Sequence, residues 1–183
     1  MRLLSGVPMK THSHLYLGSA LLALLMMTGC GQSENTAEPA SAASAPATAP
    51  AAAKPATGRA IAITASDTMK FNVTEIHAKP GEALAVTLTN EGTVPKFSMG
   101  HNWVLLAQGV DLTAFAGEAS SAPTTEYVPP SFKASVLAST KLLGPKESDT
   151  ALFYAPQKPG HYPFLCSFPG HFQVGMKGVL IVE

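Results

Sequence analysis

The chain has 183 residues, with 12 Lys plus Arg against 12 Asp plus Glu and a formal net charge of zero. A charged fraction of only 13% leaves no basic stripe for a nucleic acid and no acidic field for a cationic partner. Of the 2 cysteines, Cys30 lies near the N-terminus and Cys166 stands alone in the remainder, so no disulfide forms within the body of the chain.

Arg2 and Lys10 precede an apolar run from Leu15 to Met27, the pattern of an export signal, with Met9 as an alternative start. The run is short for a permanent membrane span. It ends in Met27-Thr28-Gly29-Cys30, which resembles a bacterial lipobox. Residues 1–29 therefore read as a lipoprotein signal peptide and Cys30 as the lipidated first residue of the mature chain. The alternative is an ordinary secretory signal cleaved nearby. Gly31 rather than Asp follows Cys30, so retention at the inner membrane is not signalled. The expected address is the periplasm, on a membrane anchor, at the outer membrane. From residue 30 to 58 the composition is Ala, Pro, Ser and Thr, which cannot bury a core and reads as a disordered tether.

Residues 59–183 have the size of one domain, with nine Lys plus Arg against ten Asp plus Glu for a net −1. Ile61 and Ile63 alternate with small residues, and Met69, Phe71 and Val73 alternate with Lys70 and Asn72, so two short strands are expected. Lys79-Pro80-Gly81-Glu82 reads as a turn, followed by a strand from Ala83 to Leu88 and a second turn at Asn90-Glu91-Gly92. Trp103 to Leu106 reads as a strand buried on both faces. Strands recur about every ten residues, which argues for an all-β sandwich rather than βαβ units. Gln108 to Pro130 breaks the rhythm as an insertion, with a short helix capped by Asp111 and running to about Glu118. Strands resume at Ser135–Ser139, Thr150–Tyr154, His161–Cys166 and Gly178–Glu183.

Chemistry concentrates in Cys166-Ser167-Phe168-Pro169-Gly170-His171-Phe172-Gln173-Val174-Gly175-Met176. A thiolate, two neutral imidazoles and a weak axial thioether form the ligand set of blue copper sites. This stretch supplies Cys166, His171 and Met176; the second imidazole must come from afar, and His101 is the candidate. Singly, each has a duller explanation. A Met is mostly core filler, a buried Cys a small hydrophobe and a lone His a hydrogen-bonded residue. The joint arrangement is what counts, because a strand end, a Pro169-Gly170 turn and the next strand start can aim three donors at one point. His12 and His14 lie in the signal, while His77 and His161 lack ligand neighbours and read as ordinary. No Cys-x-x-Cys pair or zinc-type His spacing is present, which argues against structural zinc and a dinuclear copper centre.

Met99-Gly100-His101-Asn102-Trp103-Val104-Leu105, Thr140-Lys141-Leu142-Leu143-Gly144, Cys166 to His171 and Met176-Lys177-Gly178 resemble the azurins, bacterial single-copper electron carriers of the cupredoxin family. The resemblance implies a Greek-key cupredoxin sandwich and one type 1 copper ion cycling between Cu(II) and Cu(I). It implies His101, Cys166 and His171 as equatorial ligands, Met176 as axial ligand and the Gly100 carbonyl as a weak one opposite. Asn102 and the backbone N–H of Phe168 match groups that hydrogen-bond around the thiolate. An exposed edge of His171, ringed by Met69, Met99, Phe168 and Pro169, is the implied electron port and docking patch. Redox proteins such as c-type cytochromes or periplasmic reductases and oxidases are the implied partners. No enzymatic activity is expected, and a monomer is the family default. Four residues separate His171 from Met176, as in auracyanins and plastocyanins, where azurins have three. The family's N-terminal disulfide aligns with Arg59 and Gly81, and a pH-titrating histidine of some azurins aligns with Asn90. The competing reading is a copper-binding lipoprotein that buffers the metal; the cupredoxin domain of a nitrite reductase would need a second copper site and domain.

Overall fold

The computed structural model describes residues 54–183; the signal, Cys30 and most of the tether lie outside them. Among the described residues, eight strands form two sheets. β1 (Arg59–Ala65), β3 (Ala83–Asn90) and β6 (Ser148–Tyr154) make one, in the order β1-β3-β6. The other runs β2-β8-β7-β4-β5, with β2 (Glu75–Ala78), β4 (Val104–Leu106), β5 (Val136–Ser139), β7 (Gly160–Leu165) and β8 (Lys177–Val182). β1 with β3 and β2 with β8 pair in parallel; every other pairing is antiparallel.

Period-two alternation puts one face of each sheet inward. Ile63, Leu84, Val86 and Leu88 from the smaller sheet meet Leu105, Phe164 and Leu180 from the larger, all essentially without solvent contact. Trp103 fills the middle, its ring 5.4 Å from Phe164 and 5.8 Å from Phe153. Gly178 opens β8 where any Cβ would overlap the Phe164 ring and the Thr74 carbonyl.

β4 is buried on both faces, as its unbroken apolar run implies. Leu105 joins the sandwich core, while Val104 and Leu106 pack outward with Leu165 against Phe115 of the insertion. Phe115 belongs to helix α2 (Leu112–Ala119), whose first turn is capped by Asp111 Oδ1 accepting from the N–H groups of Thr113 and Ala114 at 2.9 and 3.0 Å. Two short 3₁₀ turns, Pro123–Thr125 and Pro130–Ser135, complete the insertion.

Two local expectations change. Met69, Phe71 and Val73 do not form a strand: Met69 is left-handed, at φ 54°, and only Phe71 touches a strand, through a bridge to Ala65. Their spacing reflects a loop that drops Phe71 into the core and leans Met69 and Val73 against it. A one-turn helix α1 (Lys96–Met99) precedes the His101 segment, starting where Pro95 supplies a preset φ. Arg59 and Gly81 stand where the family carries a disulfide that this chain was expected to lack, and Arg59 Nε donates to Glu82 Oε1 at 2.6 Å, an exposed ion pair between β1 and the turn before β3.

Candidate metal centre

β7 carries the chain to Cys166 at one end of the sandwich, and β8 takes it away after Met176. The loop between them is closed by its own backbone. Cys166 N–H donates to Met176 O at 3.1 Å, Met176 N–H to His171 O at 2.9 Å, and His171 N–H to Phe168 O at 3.1 Å. Gly170 and Gly175, at φ 85° and 91°, make the turns that fold it so tightly.

His101 arrives from the opposite side. Its backbone N–H donates to Leu143 O at 3.1 Å and its carbonyl accepts from Leu143 N–H at 2.7 Å. Gly100 is required by space: a Cβ there would stand 2.7 Å from the Lys96 carbonyl oxygen. Asn90, buried, donates from Nδ2 to Leu143 O at 3.3 Å, so it props the segment that holds His101. Sequence reading gave Asn90 no such part; its signals were its place at a turn and its alignment with a titrating histidine of some azurins.

The structure gathers His101, Cys166 and His171 so that their ligand atoms lie within 4.8 Å of one another. Cys166 Sγ is 3.4 Å from His171 Nδ1, and the two imidazole centroids are 4.9 Å apart. All three residues are buried, at 0, 0 and 2% exposure. Neither ring nitrogen of His101 has a hydrogen-bond partner. A buried, unpartnered imidazole costs about 1–3 kcal/mol, and it makes sense as a lone pair kept for a metal.

The electrostatics agree. Burial holds His171 down at about 4, with the His101 charge adding to the effect. It also lowers His101, although the Asp67 carboxylate and the nearby Ser66 backbone carbonyl work the other way. Both imidazoles are neutral at physiological pH, as ligands must be. Burial pushes the Cys166 thiol up to about 12, against the N–H groups of Asn102 and Phe168, which favour the thiolate. A cation is what such a thiolate lacks.

Around the thiol, Asn102 is completely buried. Its Oδ1 accepts from Ser167 N–H at 2.8 Å, and its Nδ2 donates to the Glu126 carbonyl at 3.0 Å. Asn102 thus ties the Cys166 loop to the insertion. Glu126 and Tyr127 adopt left-handed φ of 56° and 61°, and the Tyr127 ring meets Phe168 edge-on at 5.0 Å. Phe168 in turn lies 4.7 Å from the His171 ring. Met176 is fully buried beside these groups.

The expected surface patch differs in detail. Met69, Met99 and Pro169 are half-buried, whereas Phe168 is only 8% exposed. His171, expected to show an edge, is 2% exposed because its neighbours close over it. The exposed apolar group nearby is one the sequence reading missed: Phe97 on α1, at 82%. His161 is exposed. His77, far along the β2–β8 pair, is exposed and bonded to Glu183 and Glu75 at 2.8 and 2.9 Å.

An eight-stranded, two-sheet sandwich with a buried Cys-His-His cluster at one end defines the class of single-domain type 1 copper proteins. The family model for copper binding proteins of the plastocyanin/azurin family matches residues 59–183, and the chain belongs to that family. It is 35% identical over 125 residues to an azurin of Pseudomonas chlororaphis, covering 66% of this chain and 95% of that protein. It is 40% identical over 114 residues to outer membrane protein H.8 of Neisseria gonorrhoeae, covering 61% of each. Among solved structures, a dithionite-reduced auracyanin of Roseiflexus castenholzii aligns with TM-score 0.60 at 34% identity, covering 68% of this chain and 96% of that one. An azurin of Methylomonas sp. strain J aligns with TM-score 0.59 at 30% identity, covering 68% and 97%. Copper is the cofactor of this family, and its members are electron carriers.

Proposed function

We propose that the chain carries single electrons between redox proteins of the bacterial envelope, on one copper ion that His101, Cys166 and His171 would hold, with Met176 and the Gly100 carbonyl as weaker donors. The observation that carries this reading is His101, whose two buried nitrogens have no partner within the protein, next to a buried thiol and a second neutral imidazole. Copper bound there supplies a one-electron Cu(II)/Cu(I) couple.

The chain's own residues do the rest. Burial of all three donors excludes water and leaves no approach for a substrate, so the site transfers electrons without being an enzyme. Asn102 and the N–H of Phe168 orient and stabilise the thiolate. The two sheets and the self-bonded loop hold the donors in one arrangement, so little has to move when the charge changes. Phe97, Met99, Met69 and Pro169 form the apolar surface beside the site, suited to brief docking. The partners we assign are c-type cytochromes or periplasmic reductases and oxidases, met by a monomer.

The lipobox-like Cys30, the Ala/Pro-rich tether and the likeness to a neisserial outer membrane protein support a periplasmic domain on a lipid anchor at the outer membrane. Among the described residues, no helix is long and apolar enough to cross a membrane.

The test is the visible and electron paramagnetic resonance spectrum of the copper-loaded protein beside its Cys166→Ser variant. An intense thiolate-to-copper band with narrow hyperfine splitting, lost in the variant, is expected. A pale tetragonal copper spectrum indifferent to Cys166 overturns the electron-carrier reading and favours metal buffering.

A further inference from the structure

Residues 66–72, between β1 and β2, form no strand, yet their backbone is pinned. Met69 N–H donates to Ser66 O at 2.9 Å and Asn72 N–H to Thr64 O at 3.2 Å, while Asn72 Oδ1 accepts from Thr64 N–H at 2.7 Å. Phe71, buried in the core, bridges to Ala65. From this base the Lys70 ammonium donates to the Val174 carbonyl, in the span between His171 and Met176. A Cβ on Gly175 would stand 3.0 Å from Lys70 Nζ, so the ammonium occupies the side that a bare glycine leaves open. Among the described residues no carboxylate pairs with Lys70.

The carbonyls of His171, Phe172, Gly175 and Met176 each accept from a backbone N–H between Cys166 and Lys177. That of Val174 accepts from none, and Lys70 is its partner. An exposed lysine on one carbonyl is worth little by itself. Its position changes the weight, because the four residues between His171 and Met176 pair with no strand and the Val174–Gly175 peptide leads straight toward Met176. The same short loop also holds the segment that brings in His101. Asp67 Oδ2 accepts from the N–H and the Oγ1 hydroxyl of Thr93, both at 2.9 Å, ahead of Pro95, α1 and Gly100.

We propose that Lys70 is a positioning residue of the metal centre. By holding the Val174–Gly175 peptide it fixes how the Met176 side chain stands against the cluster of His101, Cys166 and His171. A donor that carries a charge makes the firmer hydrogen bond, and hydrogen bonds just outside a ligand set orient the ligands and tune the metal. With Asp67 on the Thr93 side and Lys70 on the Val174 side, residues 66–72 brace both donor-bearing segments on one support. Among the described residues, Lys70 supplies the one hydrogen bond that joins the Cys166–Met176 loop to that support. The inference rests on reading Met176 as a donor to copper, and assigns the residue that keeps it in place.

The experiment compares the unsubstituted protein with Lys70→Met, which removes donor and charge at similar length, and with Lys70→Arg, which keeps both. In the metal-free protein, amide exchange at Gly175 and Met176, whose N–H groups donate to Phe172 O and His171 O, is expected to be about tenfold faster in Lys70→Met. Lys70→Arg should restore the slow rate, and the amides of β7 and β8 should not respond in either variant. In the copper-loaded protein, the copper hyperfine splitting and the relative intensities of the thiolate-to-copper bands should change in Lys70→Met and return in Lys70→Arg. A reduction potential that shifts while spectra and exchange stay as they were overturns the proposal, because the ammonium then acts through its charge alone. Exchange that Lys70→Met leaves unchanged overturns it as well, and so does faster exchange with an unaltered copper spectrum. A pale copper spectrum from the unsubstituted protein sinks the electron-carrier reading instead; faster metal-free exchange in Lys70→Met, restored by Lys70→Arg, then still supports the hold on the peptide before Met176.

Discussion

His101 and His77 lie in one sandwich under opposite rules. His101 is sealed from water with both ring nitrogens bare, and burial lowers its pKa. His77 is exposed with both nitrogens occupied, and its pKa is raised, first by the hydrogen bond to Glu183 and then by that to Glu75. Titration follows from surroundings, not residue type. Where side chains satisfy each other, a histidine is part of the fabric. At His101 they do not, beside a thiol and a second imidazole, and the fold carries a cost there that a bound partner relieves.

The sharpest way to break this contrast is His101→Leu. The thiolate-to-copper absorption should vanish, while the metal-free protein becomes more stable by about 1–3 kcal/mol, because two unpartnered polar atoms leave the core. Urea unfolding of the metal-free pair measures it, and a loss of stability would mean that His101 is satisfied after all.

Next in size is Asn102→Ala. It strips the Ser167 N–H of its acceptor and unties the loop from Glu126, at a cost of about 1–3 kcal/mol. The reduction potential should shift with it, since the loop that orients the Cys166 thiolate loses its brace; voltammetry beside denaturation separates the two effects.

The smallest change is His77→Gln. A pKa raised above the ordinary 6.5 means that the His77 pairings stabilise the fold fully below that pH and lose their effect as pH climbs through the folded value. The unsubstituted protein should therefore show a stability advantage over the variant at pH 5 to 6 that disappears toward alkaline pH. The copper spectrum should not respond, because His77 pairs with Ile181 near the far end of β8.

Much of this was legible in the residues. Alternation marked β1 and β3, strand-like runs marked β5 to β8, β2 went unmarked, and the unbroken apolar run at Val104–Leu106 announced a strand covered on both sides. Asp111 announced its helix because a side-chain cap is local chemistry. Cys166, His171 and His101 could be grouped because ligand chemistry restricts residue types more than folding does. The misses have physical causes too. At Met69–Val73, burial without pairing mimics a strand pattern. Glu126 acts through its carbonyl from a left-handed backbone, and no side-chain pattern encodes that. The closure over His171 depends on how Phe168 and Tyr127 stack, which spacing alone does not specify.

The loop from Cys166 to Met176 satisfies its backbone mostly within itself and joins the sheet through the ladder that β7 and β8 already share, with Leu165 opposite Lys177. It behaves as a cassette clipped into a frame. A residue added or removed between His171 and Met176 is taken up inside the cassette, and the strands keep their register. Ligand spacing can therefore drift, and the properties of the metal with it, while the sandwich stays unchanged.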